Sequence, residues 1–148
     1  MERKPTFGYK KEKQYYTLRP SCYAVIFNDQ YTKIAIIKKG TRYFLPGGGM
    51  EQHETKELCL RRELVEELGW HIEIQHYIGN AERYFCVENE NTYYLNDGYF
   101  YICKKLKTEN TISEQDHILQ WLSPSQAQRL LVHEHQQWAV KQALSLQK

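Results

Sequence analysis

The sequence predicts an α+β fold, a mixed β-sheet with helices on both faces. Three observations carry this reading. Apolar runs of strand length alternate with stretches of helix length along the chain. The stretch Thr55 to Leu68 has a capping residue, two chemically distinct faces and a terminating glycine. After Pro124 the chain reads as two helices with no strand between them.

Residues 1–17 are polar and are expected to be loosely held. Lys4, Lys10, Lys11 and Lys13 make this stretch basic, but Glu2 and Glu12 dilute it, so it reads as a solvated tail. Tyr23 to Phe27 is a buried strand, followed by a turn at Asn28-Asp29. Lys33 to Lys39, rich in isoleucine, is a second strand. Arg42 to Leu45 is a short extended segment that ends at Pro46, after which three glycines interrupt regular structure.

The helix from Thr55 to Leu68 follows. Thr55 caps it, Glu57 suits its positive end, and Gly69 supplies the left-handed turn that stops it. Ile72 and Ile74 alternate with polar residues as a strand does. Two more strands are expected over residues 79–87 and 99–106, with the polar, Asn-rich stretch from Glu88 to Asn96 as a loop or hairpin tip. Ile118 to Leu122 is the last strand. Ser123-Pro124-Ser125-Gln126 then combines a capping box with proline at the first helical position. A short helix runs to Leu131 and another from His135 to Leu146, with Trp138, Val140 and Leu144 as core contacts. His133 and His135 are two residues apart and diverge on a helix, so they read as helix-end polar residues rather than metal ligands.

A chain of 148 residues suits one domain with its own core. Its net charge of +2 makes no case for a nucleic-acid or membrane surface. None of Cys22, Cys59, Cys86 and Cys103 forms a Cys-x-x-Cys pair, which argues against zinc. Their apolar and aromatic neighbours suit buried free thiols in a reducing cytoplasm. No apolar run has the length of a signal-peptide core or a membrane span. Twelve tyrosines supply rings that can line a core or stack on a base.

The densest chemistry lies between Gly48 and Trp70. On an ideal helix Glu63, Glu66 and Glu67 fall within an arc of about 100°, while Leu60, Leu64, Val65 and Leu68 cluster opposite. Three carboxylates this close repel and raise one another's pKa. A divalent cation removes the repulsion, and hard oxygen ligands suit Mg²⁺, with Mn²⁺ as the alternative.

The order and spacing here resemble the signature of the Nudix (MutT-type) hydrolases. The matching positions are Gly48, Glu54, Arg62, Glu63, Leu64, Glu66, Glu67, Gly69 and Trp70. Two positions depart from the usual pattern: His53 stands where many members have another glycine, and Trp70 is bulkier than the usual aliphatic residue.

The resemblance implies an α/β/α sandwich in which the signature forms a loop-helix-loop. It implies water attack on phosphorus in a nucleoside diphosphate linked to another moiety, with Mg²⁺ as cofactor. By position, Glu63, Glu66 and Glu67 are the implied metal ligands, with the carbonyl of Gly47 as a fourth. Arg62 is implied to orient a carboxylate through a bidentate bond, and Glu54 to hold the loop on the helix through an arginine. Gly48 and Gly69 complete the structural motif.

Glu63 is the first candidate for general base, and Glu114 and Asp116, before the Ile118 strand, are candidate additional acids. Arg42 and Tyr43 beside Phe44, and Arg83 with Tyr84, are candidate substrate contacts: arginine for phosphate, tyrosine for a base. No proline lies between Pro46 and Pro124, which departs from ADP-ribose-specific relatives. Tyr84 is out of register with the tyrosine of dinucleoside-polyphosphate hydrolases. The reading is therefore an enzyme acting on a small nucleotide, most simply a nucleoside triphosphate.

The rivals are a nucleotide-binding sensor of the same fold without catalysis, a hydrolase of ADP-ribose or dinucleoside polyphosphates, and an isomerase on this fold. An RNA-end hydrolase needs a basic track that the near-neutral charge does not supply. No membrane partner is expected, and a homodimer is left open.

Overall fold

The computed structural model describes residues 4–109 and 116–147. The strands are β1 (Thr6–Phe7), β2 (Thr17–Ile26), β3 (Ile34–Lys39), β4 (Arg42–Phe44), β5 (Gly47–Gly49), β6 (Trp70–Val87), β7 (Thr92–Thr108) and β8 (Ile118–Leu122). The helices are α1 (Lys56–Leu68), α2 (Pro124–Leu130) and α3 (Glu134–Leu146). One sheet has the order β1-β6-β7-β2-β5 and a second the order β4-β3-β8. The larger sheet is mixed, because β2 runs parallel to β7 and antiparallel to β5.

β2 explains why the chain forms a sandwich. Its residues from Ser21 to Ile26 are all buried. Cys22, Ala24 and Ile26 pack with Leu60 and Leu64 of α1. Tyr23 and Val25 pack with Phe100 and with Ala139 and Val140 of α3. Side chains alternate across a strand, so a strand covered on both faces must be apolar at every position. The two resulting cores make the α/β/α architecture, with α1 on one face and α3 on the other.

The helix ends follow the sequence. Thr55 Oγ1 accepts from the Leu58 N–H at 3.2 Å, and Gly69 adopts the left-handed conformation at φ 67°. Ser123 and Gln126 form the reciprocal capping box of α2, whose first residue is Pro124.

Four elements differ from expectation. The N-terminal stretch is docked rather than loose. β1 pairs in parallel with Glu82 and Arg83 of β6, and Lys4 Nζ lies 2.8 Å from Asp97 Oδ1. Tyr16 packs edge-on against Tyr84 and Tyr93. Polar composition hid this docking, because the contacts are long-range.

The two strands expected between Trp70 and Val87 are one strand, interrupted by register shifts at His71/Ile72, Ile74/His76 and Tyr77/Gly79. Bulges blur the period-2 pattern on which a strand reading depends. The Asn-rich stretch is mostly strand. A 3₁₀ turn at Glu88–Glu90 and a left-handed Asn91 close the hairpin early, so Thr92 to Asn96 pair with Val87 to Arg83. Phe85 and Tyr94 stack across it at 5.5 Å. The three glycines, expected to interrupt regular structure, form β5 against Ser21–Tyr23.

Candidate active site

α1 lays its acidic face against β5. Glu63 and Glu67 are one turn apart and meet the glycine strand, while Glu66 is rotated outward. The side chains of Glu63, Glu66 and Glu67 are 14%, 46% and 8% exposed. Glu67 Oε1 accepts the Gly47 N–H at 2.7 Å, and its Oε2 lies 3.1 Å from His117 Nδ1. Gly48 leaves the space that the Glu63 carboxylate occupies: a Cβ there would stand 2.7 Å from it and push that side chain aside. Gly47 has φ +141°, and a Cβ on it meets the Cys22 carbonyl oxygen at 2.1 Å. Gly48 thus gives the Glu63 carboxylate its place, and Gly47 lets the glycine strand lie close against β2.

Arg62 organises the other side of the helix. Its Nε donates to Glu54 Oε2 at 2.5 Å and its Nη2 to Glu54 Oε1 at 2.9 Å. Nη1 reaches Glu63 Oε1 and Glu66 Oε2, both at 3.1 Å, and Nη2 also donates to the Gly49 carbonyl at 3.0 Å. The Arg62 guanidinium beside Glu54 draws its carboxyl down to about 2. Glu54 thus ties the loop to the helix through Arg62, and Arg62 screens the repulsion between the helix carboxylates.

A cleft of about 720 Å³ opens beside this helix. Glycines 47–49, Glu63 and Glu67 line one side. Arg19, Lys39 and Arg42 line it with positive charge, and Phe44, Phe85, His133 and Gln136 form an aromatic and amide wall. Its size is that of a small-ligand site.

The candidates from the sequence divide accordingly. Gly47, Gly48, Glu63 and Glu67 come together on the cleft, and Arg42 joins them. Arg62 and Glu54 form a supporting network beside it, Glu66 is bonded to Arg62 with its side chain half exposed and outside the cleft lining, and Gly69 ends α1. Tyr43 is not on the cleft. Alternation along β4 turns it to the core, and Phe44 takes the cleft side. Tyr84 likewise faces the N-terminal segment, while Phe85 lines the cleft.

Arg83 lies behind the wall, its Nη1 2.6 Å from His133 Nδ1. Asp116 is exposed and outside the lining, and Glu114 falls outside the described residues. Sequence reasoning missed Arg19, Lys39, Phe85, His117, His133 and Gln136 as cleft residues. His117 and Phe85 had a local signal as the neighbours of the candidates Asp116 and Tyr84, and His133 was weighed only as a metal ligand.

His133 and His135 are not surface helix-end residues as expected: they are 8% and 0% exposed. Burial, with Arg83 nearby, pushes both rings down to about 3. Both are therefore neutral in the folded protein at pH 7. Their folded values lie below the unfolded value near 6.5, so this contribution to stability is complete above that pH. It is lost as the pH falls from about 6.5 towards 3. Thermal melts are expected to show Tm falling steadily from pH 7.5 to 4.5, and a flat Tm over that range would count against it. Cys22, Cys59 and Cys103 are buried as expected, but Cys86 is exposed on the cleft rim.

The family model described as NUDIX domain matches residues 17–144. The chain belongs to the Nudix family. Nudix enzymes hydrolyse phosphoric anhydride bonds and generally use divalent metal ions. In a comparison with curated proteins, no sequence matches.

The fold is similar to that of solved Nudix structures. A NUDIX hydrolase from Nitrosomonas europaea superposes with a TM-score of 0.71 at 16% identity, over 89% of this chain and 92% of that one. An ADP-ribose pyrophosphatase from Streptococcus suis gives 0.65 at 16% identity, covering 88% and 92%. The dihydroneopterin triphosphate pyrophosphohydrolase of E. coli gives 0.62 at 16% identity, covering 87% and 97%. Two of these neighbours carry different substrate names on one fold, so the fold leaves the substrate open.

A divalent ion suits the donor chemistry of the Nudix helix. Glu63 and Glu67 offer hard oxygen atoms on the cleft, and the glycine strand leaves room for close approach at Gly48. Among the described residues no three acidic, histidine or cysteine side chains are already gathered around one point. Arg62 is bonded to both Glu63 and Glu66 and supplies positive charge beside the helix carboxylates. Among the described residues, no helix is long and apolar enough to cross a membrane.

Proposed function

We propose that this Nudix enzyme is a Mg²⁺-dependent pyrophosphohydrolase of a nucleoside diphosphate linked to another group, most simply a nucleoside triphosphate. One observation carries this reading: the acidic face of α1, three cations and an aromatic wall share a single cleft. A polyphosphate needs the first two, and a base needs the third.

Glu63, Glu66, Glu67 and the Gly47 carbonyl are the groups that would hold the ion. When bound, Mg²⁺ supplies charge neutralisation at the phosphates and lowers the pKa of water. The protein's own residues do the rest. Arg19, Lys39 and Arg42 draw the phosphate chain into the cleft and hold it in line with the attacking water. Glu63, beside Gly48, takes the proton from that water. Arg62 holds Glu63 and Glu66 in place, and the Gly47 N–H fixes the orientation of Glu67. Phe44 and Phe85 shield the far end of the substrate from solvent. The three buried thiols fit a reducing compartment, and we place the reaction in the cytoplasm.

The test is Mg²⁺-dependent turnover on nucleoside triphosphates, ADP-ribose, dinucleoside polyphosphates and nucleotide sugars, with products resolved by mass. Cleavage of a nucleoside triphosphate between phosphorus atoms supports the reading. Exclusive cleavage of another class moves the substrate, and ligand binding without turnover in folded protein overturns catalysis.

A further inference from the structure

The aromatic wall of the cleft contains two polar side chains whose donor and acceptor roles are settled by their neighbours. Gln136, on the first turn of α3, is 1% exposed. Its Oε1 accepts the Leu45 N–H at 2.8 Å. A backbone N–H can only donate, so the oxygen must face Leu45 and the NH₂ must face the other way. That NH₂ has no hydrogen-bond partner among the described residues, is not sealed within the core, and belongs to a side chain that lines the cleft.

His133, at the start of the same helix, is 8% exposed. Its Nδ1 lies 2.6 Å from Arg83 Nη1. A guanidinium has only donors, so Nδ1 accepts and the ring proton of the neutral imidazole sits on Nε2. Burial keeps the ring neutral at pH 7. Nε2 also has no protein partner among the described residues and is not sealed within the core, and the side chain lines the cleft. Phe85 and Phe44 flank this ring, with centroids at 5.1 and 5.7 Å. The buried end of the cleft thus presents apolar ring faces and two directed donors.

A flat heterocycle placed there meets donors and must offer acceptors. Among purines, one carrying a 6-oxo group shows two adjacent acceptors, O6 and N7, whereas adenine puts an amino donor in place of O6. We propose that the cleft selects 6-oxopurine nucleotides, with His133 Nε2–H and the Gln136 NH₂ donating to O6 and N7. The selection rests on the nucleotide reading of the site given above, and it names the base that the site takes. Arg83 is a positioning residue in it: it touches His133 rather than the substrate and holds the tautomer that donates.

The experiment compares GTP, ITP and ATP by kcat/KM. In parallel, calorimetry measures GDP and ADP binding to the Glu67→Gln variant. The expected result is a preference for GTP and ITP over ATP on the order of tenfold, with the same order in binding. ITP matters because it keeps O6 and N7 but lacks the 2-amino group, so parity with GTP assigns the preference to the 6-oxo edge.

In Gln136→Glu the carboxylate still accepts the Leu45 N–H but offers no donor, and the preference is expected to fall towards unity. His133→Phe keeps the aromatic packing, removes the other donor and serves if Gln136→Glu does not fold. Equal kcat/KM and equal Kd for the 6-oxo and 6-amino purines overturn the proposal. So does a preference that persists unchanged in both folded variants. A binding preference without turnover on any nucleotide overturns the hydrolase reading and leaves the base selection standing.

Discussion

Glu67→Gln is expected to lose most Mg²⁺-dependent turnover while the protein remains folded. Glu67 is the most enclosed of the three helix carboxylates, with its side chain 8% exposed against 46% for Glu66. It joins three parts of the site: the Gly47 N–H at 2.7 Å, His117 at 3.1 Å and the cleft itself. Glutamine has the same shape and its amide oxygen can still accept from Gly47, so the loop keeps its anchor. The charge is lost, and with it the attraction for a divalent ion.

The expected fall in kcat is on the order of 100-fold or more, the scale reached even by groups that only support metal ligands. It should be accompanied by a higher Mg²⁺ concentration at half-maximal rate. Circular dichroism and a melt establish that the variant is folded. Wild-type turnover and an unaltered Mg²⁺ requirement in that folded variant would sink the assignment.

Arg62→Ala carries the largest expected effect on stability. One guanidinium serves Glu54, Glu63, Glu66 and the Gly49 carbonyl. Removing it leaves the Glu54 carboxylate, 12% exposed, without its cation, and leaves Glu63 and Glu66 repelling one another. Breaking an enclosed ion pair from one side costs about 3 kcal/mol. In a chain of this size that is a fall in Tm of roughly 10 °C.

The pH dependence follows from Glu54. Its folded value of about 2 lies below the ordinary value of 4.5, so its stabilisation is complete above pH 4.5 and is lost as the pH falls towards 2. Arg62→Ala should therefore lower Tm most at neutral pH and least in acid, so the two melting curves converge as the pH falls towards about 2. Arg62→Lys should recover only part of the loss, because a single ammonium cannot make the two-pronged bond to Glu54. Parallel Tm curves for wild type and Arg62→Ala across the acid range would show that the Glu54 pair is not the source.

The sequence by itself determined the helix and its chemistry. Thr55, the acidic arc and Gly69 lie within one local stretch, and helix caps and helix faces depend on residues no more than four apart. An arginine partner for Glu54 was implied by the resemblance rather than by local spacing, and the structure makes it Arg62, eight residues on, at 2.5 Å. A mixed sheet with helices on both faces was also legible, because a strand buried on both faces reads as an unbroken apolar run, as Cys22 to Ile26 of β2 does, while the α/β/α arrangement was what the resemblance implied.

Only the tertiary structure decided which side chains complete the cleft. Arg19, Phe85, His133 and Gln136 come from three elements far apart in the chain, and nothing local in the sequence separates Phe44 from Tyr43 or Phe85 from Tyr84. Strand register makes that choice, since a shift of one residue exchanges the two faces. Register here is set by long-range pairing, with Phe85 opposite Tyr94 and Tyr23 opposite Phe100. The polar N-terminal segment and the Asn-rich hairpin misled for the same reason: their partners lie across the sheet, where no local pattern reaches.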